Sequence, residues 1–185
     1  AYAFLEEVVL RIITGTARSV RLKTLAGDNT RPTSERVKEA LFSIIQFEIE
    51  GRRVLDLFAG SGQLGLEALS RGAKSAVFVD NSKEAAGIIK ENIAATRLSG
   101  ARFTECDGIS YIKRSADTYD VIFLDPPYST GLLEAALIPA CEHLSAGGVI
   151  VCEHPQDEPP GEIDGMSVRR YRYGAVALSV YRKEG

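Results

Sequence analysis

The chain has few cysteines, no long apolar run and almost no net charge, and each shortage closes off a class of protein. Its three cysteines, Cys106, Cys141 and Cys152, are odd in number and lack metal-ligand spacing. Neither a disulfide scaffold nor a metal module is expected, and they read as reduced core residues of a cytoplasmic protein. No apolar stretch reaches membrane length, and nothing resembles a signal peptide. With 22 basic residues against 25 acidic ones, the net charge is −3, so no global field draws the chain to nucleic acid. Internal repeats and low-complexity tracts are missing too. What 185 residues leave room for is one α/β domain with a full core and a small appendage.

The charge is less even than its total. Between Arg11 and Lys38 lie Arg18, Arg21, Lys23, Arg31 and Arg36, with only Asp28 and Glu35 opposing them. Such a run is either a solvated face or a phosphate-binding surface, and charge alone leaves both open.

The organising stretch is Arg53 to Leu69. Val54 to Phe58 read as a short apolar strand, buried on both faces of a parallel sheet. Ala59 leads into Gly60-Ser61-Gly62, a turn too tight for a Cβ. Gln63 to Arg71 reads as helix, with Leu64, Leu66, Ala68 and Leu69 available for the sheet and Gly72 as its stop. Such a strand, turn and helix start bring backbone N–H groups beside a nucleoside cofactor. Gly60-x-Gly62-x-x-Gly65 also matches the dinucleotide fingerprint, with Asp80 about twenty residues on, where a ribose-binding acid belongs. Asp56 decides between cofactors. A carboxylate at the end of the first strand repels a pyrophosphate but holds a cationic amino group. S-adenosylmethionine has that group and no phosphate.

In chain order, Leu10 to Thr14 and Val20 to Leu25 read as two short strands around Gly15-Thr16-Ala17-Arg18. Thr33 or Ser34 is expected to cap a helix with Val37, Leu41, Ile44 and Ile45 on one face, closed by Gly51. Residues 1–50 thus form an extension ahead of the main domain, residues 51–185. From Arg52 onward strand alternates with helix, as in a parallel doubly wound sheet. Strands are expected at Ser75 to Val79, Arg102 to Cys106, Tyr119 to Leu124 and Val149 to Glu153, the last after a Gly147-Gly148 turn. Helices are expected from Lys83 to about Arg97 and from about Leu132 to His143. Pro155 to Gly165 is a surface loop. Ser167 to Tyr173 and Val176 to Arg182, hinged at Gly174, form an antiparallel hairpin. The whole is a seven-stranded, mostly parallel, Rossmann-like sheet ending in that hairpin, the shape of a class I methyltransferase.

Four acids fall at the carboxyl ends of successive strands, the edge where open α/β sheets bind ligands. Asp56 is assigned to the methionine amino group, Asp80 to the ribose hydroxyls, and Asp107 with Gly108 to the adenine; Phe58, Ala59, Gly60, Ser61, Gly62, Gly65 and Asn81 complete the cofactor set. The fourth acid opens Asp125-Pro126-Pro127-Tyr128. An isolated acid of this kind is usually a helix cap. Glu153-His154 ends the fifth strand, and His154 is read as structural.

Asp125-Pro126-Pro127-Tyr128 resembles the Asp/Asn-Pro-Pro-Tyr motif of methyltransferases that modify an exocyclic amine. A carboxylate and a prolyl carbonyl can hold both N–H bonds of that amine, two prolines stiffen the loop, and the tyrosine can stack on the base. Arg11 to Gly15, Arg31 to Phe42, Asp56 to Gly62, Leu64 to Ala73, the Asp-Pro-Pro-Tyr loop and Tyr171 to Gly174 are together similar to the bacterial 16S rRNA guanine-N2 methyltransferases. The similarity is collinear from Arg11 to Lys183. It implies S-adenosylmethionine as cofactor, a guanine N2 in 16S rRNA as acceptor, and an RNA-facing side made by Arg18, Arg21, Lys23, Arg31 and Thr33. The rRNA would be met naked or in an assembling small subunit, by a monomer without metal or membrane. Two departures stand out: the first hairpin is less basic than the family's, and Asp80-Asn81 replaces a more usual Glu. Adenine-N6 methylation is the nearest rival, and a dinucleotide-dependent oxidoreductase or a non-catalytic RNA-binding module lies further off.

Overall fold

The computed structural model describes residues 9–27 and 32–184, with the side chains of residues 32–34 left aside. The helices are α1 (Pro32–Ile44), α2 (Gln63–Ser70), α3 (Lys83–Thr96), α4 (Gly108–Arg114) and α5 (Leu132–Glu142). The strands are β1 (Arg53–Asp56), β2 (Ser75–Asp80), β3 (Ala101–Glu105), β4 (Tyr119–Leu124), β5 (Leu144–Pro155), β6 (Met166–Tyr173) and β7 (Val176–Lys183). They form one seven-stranded sheet in the order β3-β2-β1-β4-β5-β7-β6. β1 to β5 run parallel, β7 lies antiparallel to β5, and β6 pairs back on β7. Strand order reverses between β1 and β4, and a crevice opens at such a switch point.

The central strands read as unbroken apolar runs because both faces are covered. Val54, Phe78, Val121, Phe123 and Val151 face one way and pack with Leu41 and Phe42 of α1, Leu66 of α2 and Ile89 of α3. Their neighbours Leu55, Val77, Ile122, Leu124 and Cys152 face the other way, onto Ile112 of α4 and Leu133 and Leu137 of α5. α2 sits very close to the sheet. A Cβ on Gly65 would fall 2.3 Å from the Phe78 ring.

Several expectations need correction. The two amino-terminal strands shrink to one antiparallel bridge, Arg11 with Arg21. Ile12 and Leu22 still donate across to Val20 and Leu10, but Ile13, Thr14, Thr16 and Ala17 donate to α2 instead. The Glu67 carboxylate accepts from Ile13 N–H at 2.8 Å and Thr14 N–H at 2.9 Å. Ser70 accepts from Ala17 N–H through Oγ and donates to the Thr14 carbonyl. Gly15 must be glycine for this docking, since a Cβ would lie 1.8 Å from the Ser70 carbonyl oxygen. α1 begins at Pro32 rather than after a Thr33 or Ser34 cap, in keeping with proline's fixed φ in a first turn. β5 starts at Leu144, five residues before Val149, because Gly147 and Gly148 form a bulge inside the strand rather than a turn ahead of it. α4 was not expected at all. It is one buried isoleucine deep, and its start is set by Asp107. Of the three free thiols only Cys152 is fully buried; Cys106 and Cys141 are half-buried.

Glu67 is fully buried. Besides the two N–H groups it accepts from Arg71 Nε at 3.0 Å and lies 3.8 Å from the buried Lys38 Nζ, which itself donates to the Arg11 carbonyl. Burial lowers the Lys38 pKa, opposed first by the Glu67 charge. Removing one member of such a cluster strands the others. Glu67→Ala should therefore cost about 3–5 kcal/mol of stability and loosen residues 9–17, as read by urea unfolding and by amide exchange of Ile13 and Thr14.

Candidate active site

A cavity of about 580 Å³ opens at the carboxyl edge around the switch point, within the size range of small-molecule sites. β1, β2, the turn before α4, the loop after β4 and the end of β5 each contribute a wall. Asp56, Phe58, Ala59, Gly60 and Ser61 line it, as do Asp80, Asn81, Asp107 and Gly108, and so do all four residues from Asp125 to Tyr128. The expected cofactor and catalytic positions are thus brought together, with two exceptions. Gly62 and Gly65 do not line the cavity. Gly62 supplies the left-handed turn (φ 81°) that opens α2, and Gly65 lets α2 meet Phe78.

Three of the acids are tied to backbone. Asp80 accepts from Gly60 N–H and from Ser82 N–H, both at 2.9 Å, and so pins the glycine turn to β2. Asp107 is the cap of α4, accepting from Ser110 N–H at 2.8 Å, while still bordering the cavity. Asp56 is 1% exposed and accepts from Gly65 N–H at 3.1 Å. Burial pushes its carboxyl up to about 7; the Gly65 N–H opposes this and the Asp80 charge adds to it.

Sequence reasoning missed one wall residue that carries charge, Glu153. It lies near the end of β5, which runs on to Pro155 rather than stopping at Glu153 as expected, beside the Asp-Pro-Pro-Tyr loop, and accepts from the Tyr128 hydroxyl at 3.1 Å. The rule that places Asp125 at a strand end would have found it. Burial raises the Glu153 pKa, and it also raises that of Tyr128, with help from the Glu153 and Asp125 charges. Leu25 also lines the cavity, reaching it from the amino-terminal arm, and no local pattern in the sequence marks it. His154 behaves as the structural residue expected: it is 1% exposed, with Nε2 2.7 Å from Ser179 Oγ. No Lys, Arg or His lines the cavity among the described residues, against five carboxylates. The site therefore suits a ligand with a positive charge and several hydrogen-bond donors, and it is hostile to a pyrophosphate.

Arg18, Arg21 and Lys23 lie outside the cavity on the exposed side of the arm. Lys23 is engaged by Glu91, and Arg11 by Glu35. Lys38 belongs to the interior, so the basic run is less free than its composition suggests. Arg31 and the Thr33 side chain fall outside the described residues. Among these, no cluster of His, Cys, Asp or Glu is arranged to hold a metal, and no helix is long and apolar enough to cross a membrane.

The family described as conserved hypothetical protein 95 matches residues 10–182. The chain belongs to this family. Among its relatives, ribosomal RNA small subunit methyltransferase D of Haemophilus influenzae is 37% identical over 156 residues, 81% of each chain. The protein of the same name in Escherichia coli K12 is 35% identical over 128 residues, 69% of this chain and 65% of that one. Of solved structures, yhhF of Escherichia coli superposes with a TM-score of 0.86 at 32% identity, covering 95% of this chain and 98% of the other. The shared architecture is that of the class I methyltransferases, as the amino-acid pattern implied.

The raised Asp56 pKa has a consequence for stability. An acid whose folded pKa exceeds its unfolded value of 3.8 destabilises the fold progressively as pH rises from that value through about 7, and most above it. Asp56→Asn keeps an acceptor for Gly65 and removes the charge. Its melting temperature should exceed that of the parent by more at pH 8 than at pH 5, with a ceiling near about 4 kcal/mol. A gain independent of pH would mean that Asp56 is not held in this way.

Proposed function

We propose that this protein transfers a methyl group from S-adenosylmethionine to the exocyclic N2 of a guanine in 16S rRNA. The observation that carries the reading is the meeting, in one cavity, of the Asp125-Pro126-Pro127-Tyr128 loop with the acids that end β1 and β2 and cap α4. Relatives named as small-subunit rRNA methyltransferases at 35–37% identity support it, as does the acid-lined wall, which bears no Lys, Arg or His among the described residues.

The cofactor fits the donor set. Asp56 suits its amino group, Asp80 its ribose hydroxyls, and Asp107 with Gly108 its adenine. Gly108 is backed so tightly that a Cβ would lie 2.8 Å from the Phe58 ring, so an aromatic plane borders the adenine place. When bound, the cofactor supplies an electrophilic methyl on a cationic sulfur, so transfer neutralises charge rather than creating it. The methyl carbon exchanges its bond to sulfur for one to nitrogen, and the amine gives up one proton. The protein's own part is geometric. Thr130 Oγ1 donates to the Pro127 carbonyl at 2.7 Å, so we assign the Pro126 carbonyl, with Asp125, to the two N–H bonds of the amine. That pair aims a lone pair otherwise delocalised into the ring, and positioning of this kind is worth several kcal/mol. Asp125 then stands ready for the departing proton. The Tyr128 ring, 44% exposed, stacks on the base, worth roughly 1–3 kcal/mol, and offsets part of the cost of unstacking the nucleotide.

In this reading residues 51–185 hold the chemistry and residues 1–50 face the RNA, through Arg18, Arg21 and Lys23 together with Arg31 and Thr33. The enzyme works as a cytoplasmic monomer, on rRNA alone or in an assembling subunit.

Transfer of labelled methyl to rRNA or small-subunit particles, followed by nucleoside analysis, tests the reaction. Asp125→Ala should abolish methylation while cofactor and RNA binding persist, and Tyr128→Ala should slow it less severely. Near-normal turnover by the Asp125 variant would place the methyl acceptor elsewhere. RNA affinity should also fall steeply with salt, and replacing Arg18 and Arg21 by alanine should reduce the magnitude of the log–log slope by roughly 1.4–1.8 at unchanged cofactor affinity. An unaltered slope would make the arm a solvated face.

A further inference from the structure

Glu153 stands one strand away from Asp125. β4 and β5 are parallel neighbours whose last paired residues are Leu124 and Cys152, so Asp125, just past the end of β4, and Glu153, still within β5, come side by side. Adjacent strands lie about 4.8 Å apart, and strand alternation carries both residues to the face of Phe123 and Val151. Both border the cavity next to Tyr128. The Tyr128 hydroxyl donates to Glu153 Oε1 at 3.1 Å, which orients the carboxylate. A carboxylate has about four acceptor positions, so that bond leaves capacity for a ligand.

Guanine presents three donors along one edge, two on N2 and one on N1. Asp125 and the Pro126 carbonyl answer the two on N2 in the reading above, and the N1–H needs a third acceptor. We infer that Glu153 accepts the guanine N1–H and so selects guanine over purines that carry a lone pair at N1. The inference rests on the guanine-N2 reading. A lone pair at N1 would face the Glu153 carboxylate, leaving both groups unpaired and mutually repelling, and specificity of this kind comes from penalising the wrong partner. The burial that raises the Glu153 pKa makes an added donor from the base more valuable to the carboxylate. The plainer alternative is that Glu153 serves only to rest Tyr128. The two differ in what Gln does, because its amide oxygen still accepts from the tyrosine while its amino group donates to N1.

The test uses 2-aminopurine, which keeps the 2-amino group but has a lone pair at N1. The methylated guanosine is first mapped in rRNA, and transcripts with guanine or 2-aminopurine at that position are then compared. The unmodified enzyme should prefer guanine by roughly tenfold to a hundredfold in kcat/KM, the discrimination expected of a well-formed base contact. Glu153→Gln should lose most of that preference by gaining on 2-aminopurine as well as losing on guanine. Loss of the base's O6 weighs on both enzymes alike, so the ratio isolates N1. Equal rates on the two bases by the unmodified enzyme would overturn the inference without any variant. So would a Glu153→Gln protein that methylates yet keeps the full preference. Methyl found on adenosine rather than guanosine would overturn the guanine-N2 reading itself, a result distinct from either.

Discussion

The crowding of carboxylates at one edge of the sheet is the constraint from which most of the site follows. Asp56, Asp80, Asp107, Asp125 and Glu153 surround a single cavity with no basic side chain on its wall among the described residues. Like charges gathered partly out of water make burial costly. The fold meets the cost with backbone donors: Gly65 N–H for Asp56, Gly60 and Ser82 for Asp80, Ser110 for Asp107. The glycine turn has thus a second reason beyond its sharpness. It aims N–H groups inward at acids that would otherwise stand alone. A ligand that brings positive charge and donors relieves what remains, and this argues against a dinucleotide more strongly than the glycine spacing argues for one.

How much of this was legible varies by element, for physical reasons. β4 could be bounded to the residue because Tyr119 to Leu124 is buried on both faces and stops at Asp-Pro-Pro. The strand-end acids were legible because the edge at which parallel sheets bind ligands is a rule of topology. The arm was misread. Leu10 to Thr14 has a strand's composition, but the N–H groups of Ile13 and Thr14 are satisfied by Glu67, 54 and 53 residues away, and no local pattern encodes such a partner. α4 escaped notice because seven residues are too few to show a helical period. Glu153 was visible but overshadowed by His154, whose ring is held in the interior by Ser179.

The arm and the cofactor turn are held by the same side chain. Asn92, buried on α3, accepts from Lys23 N–H at 2.8 Å, donates to the Lys23 carbonyl at 3.0 Å and donates to the Ser61 carbonyl at 2.8 Å. Nearby, Ala26 N–H donates to Glu84, and Leu25 reaches the cavity wall. One amide therefore fixes both the basic arm and the glycine turn relative to α3. A buried, fully bonded amide has a single low-energy arrangement, and disturbing either partner leaves the other unpaired. On the reading proposed above, RNA gripped by the arm and cofactor held by the turn meet in a geometry set before either binds. Rigid positioning of this kind is what the reaction asks of the protein, since little acid–base power is needed to move a methyl group from a cationic sulfur to an oriented amine.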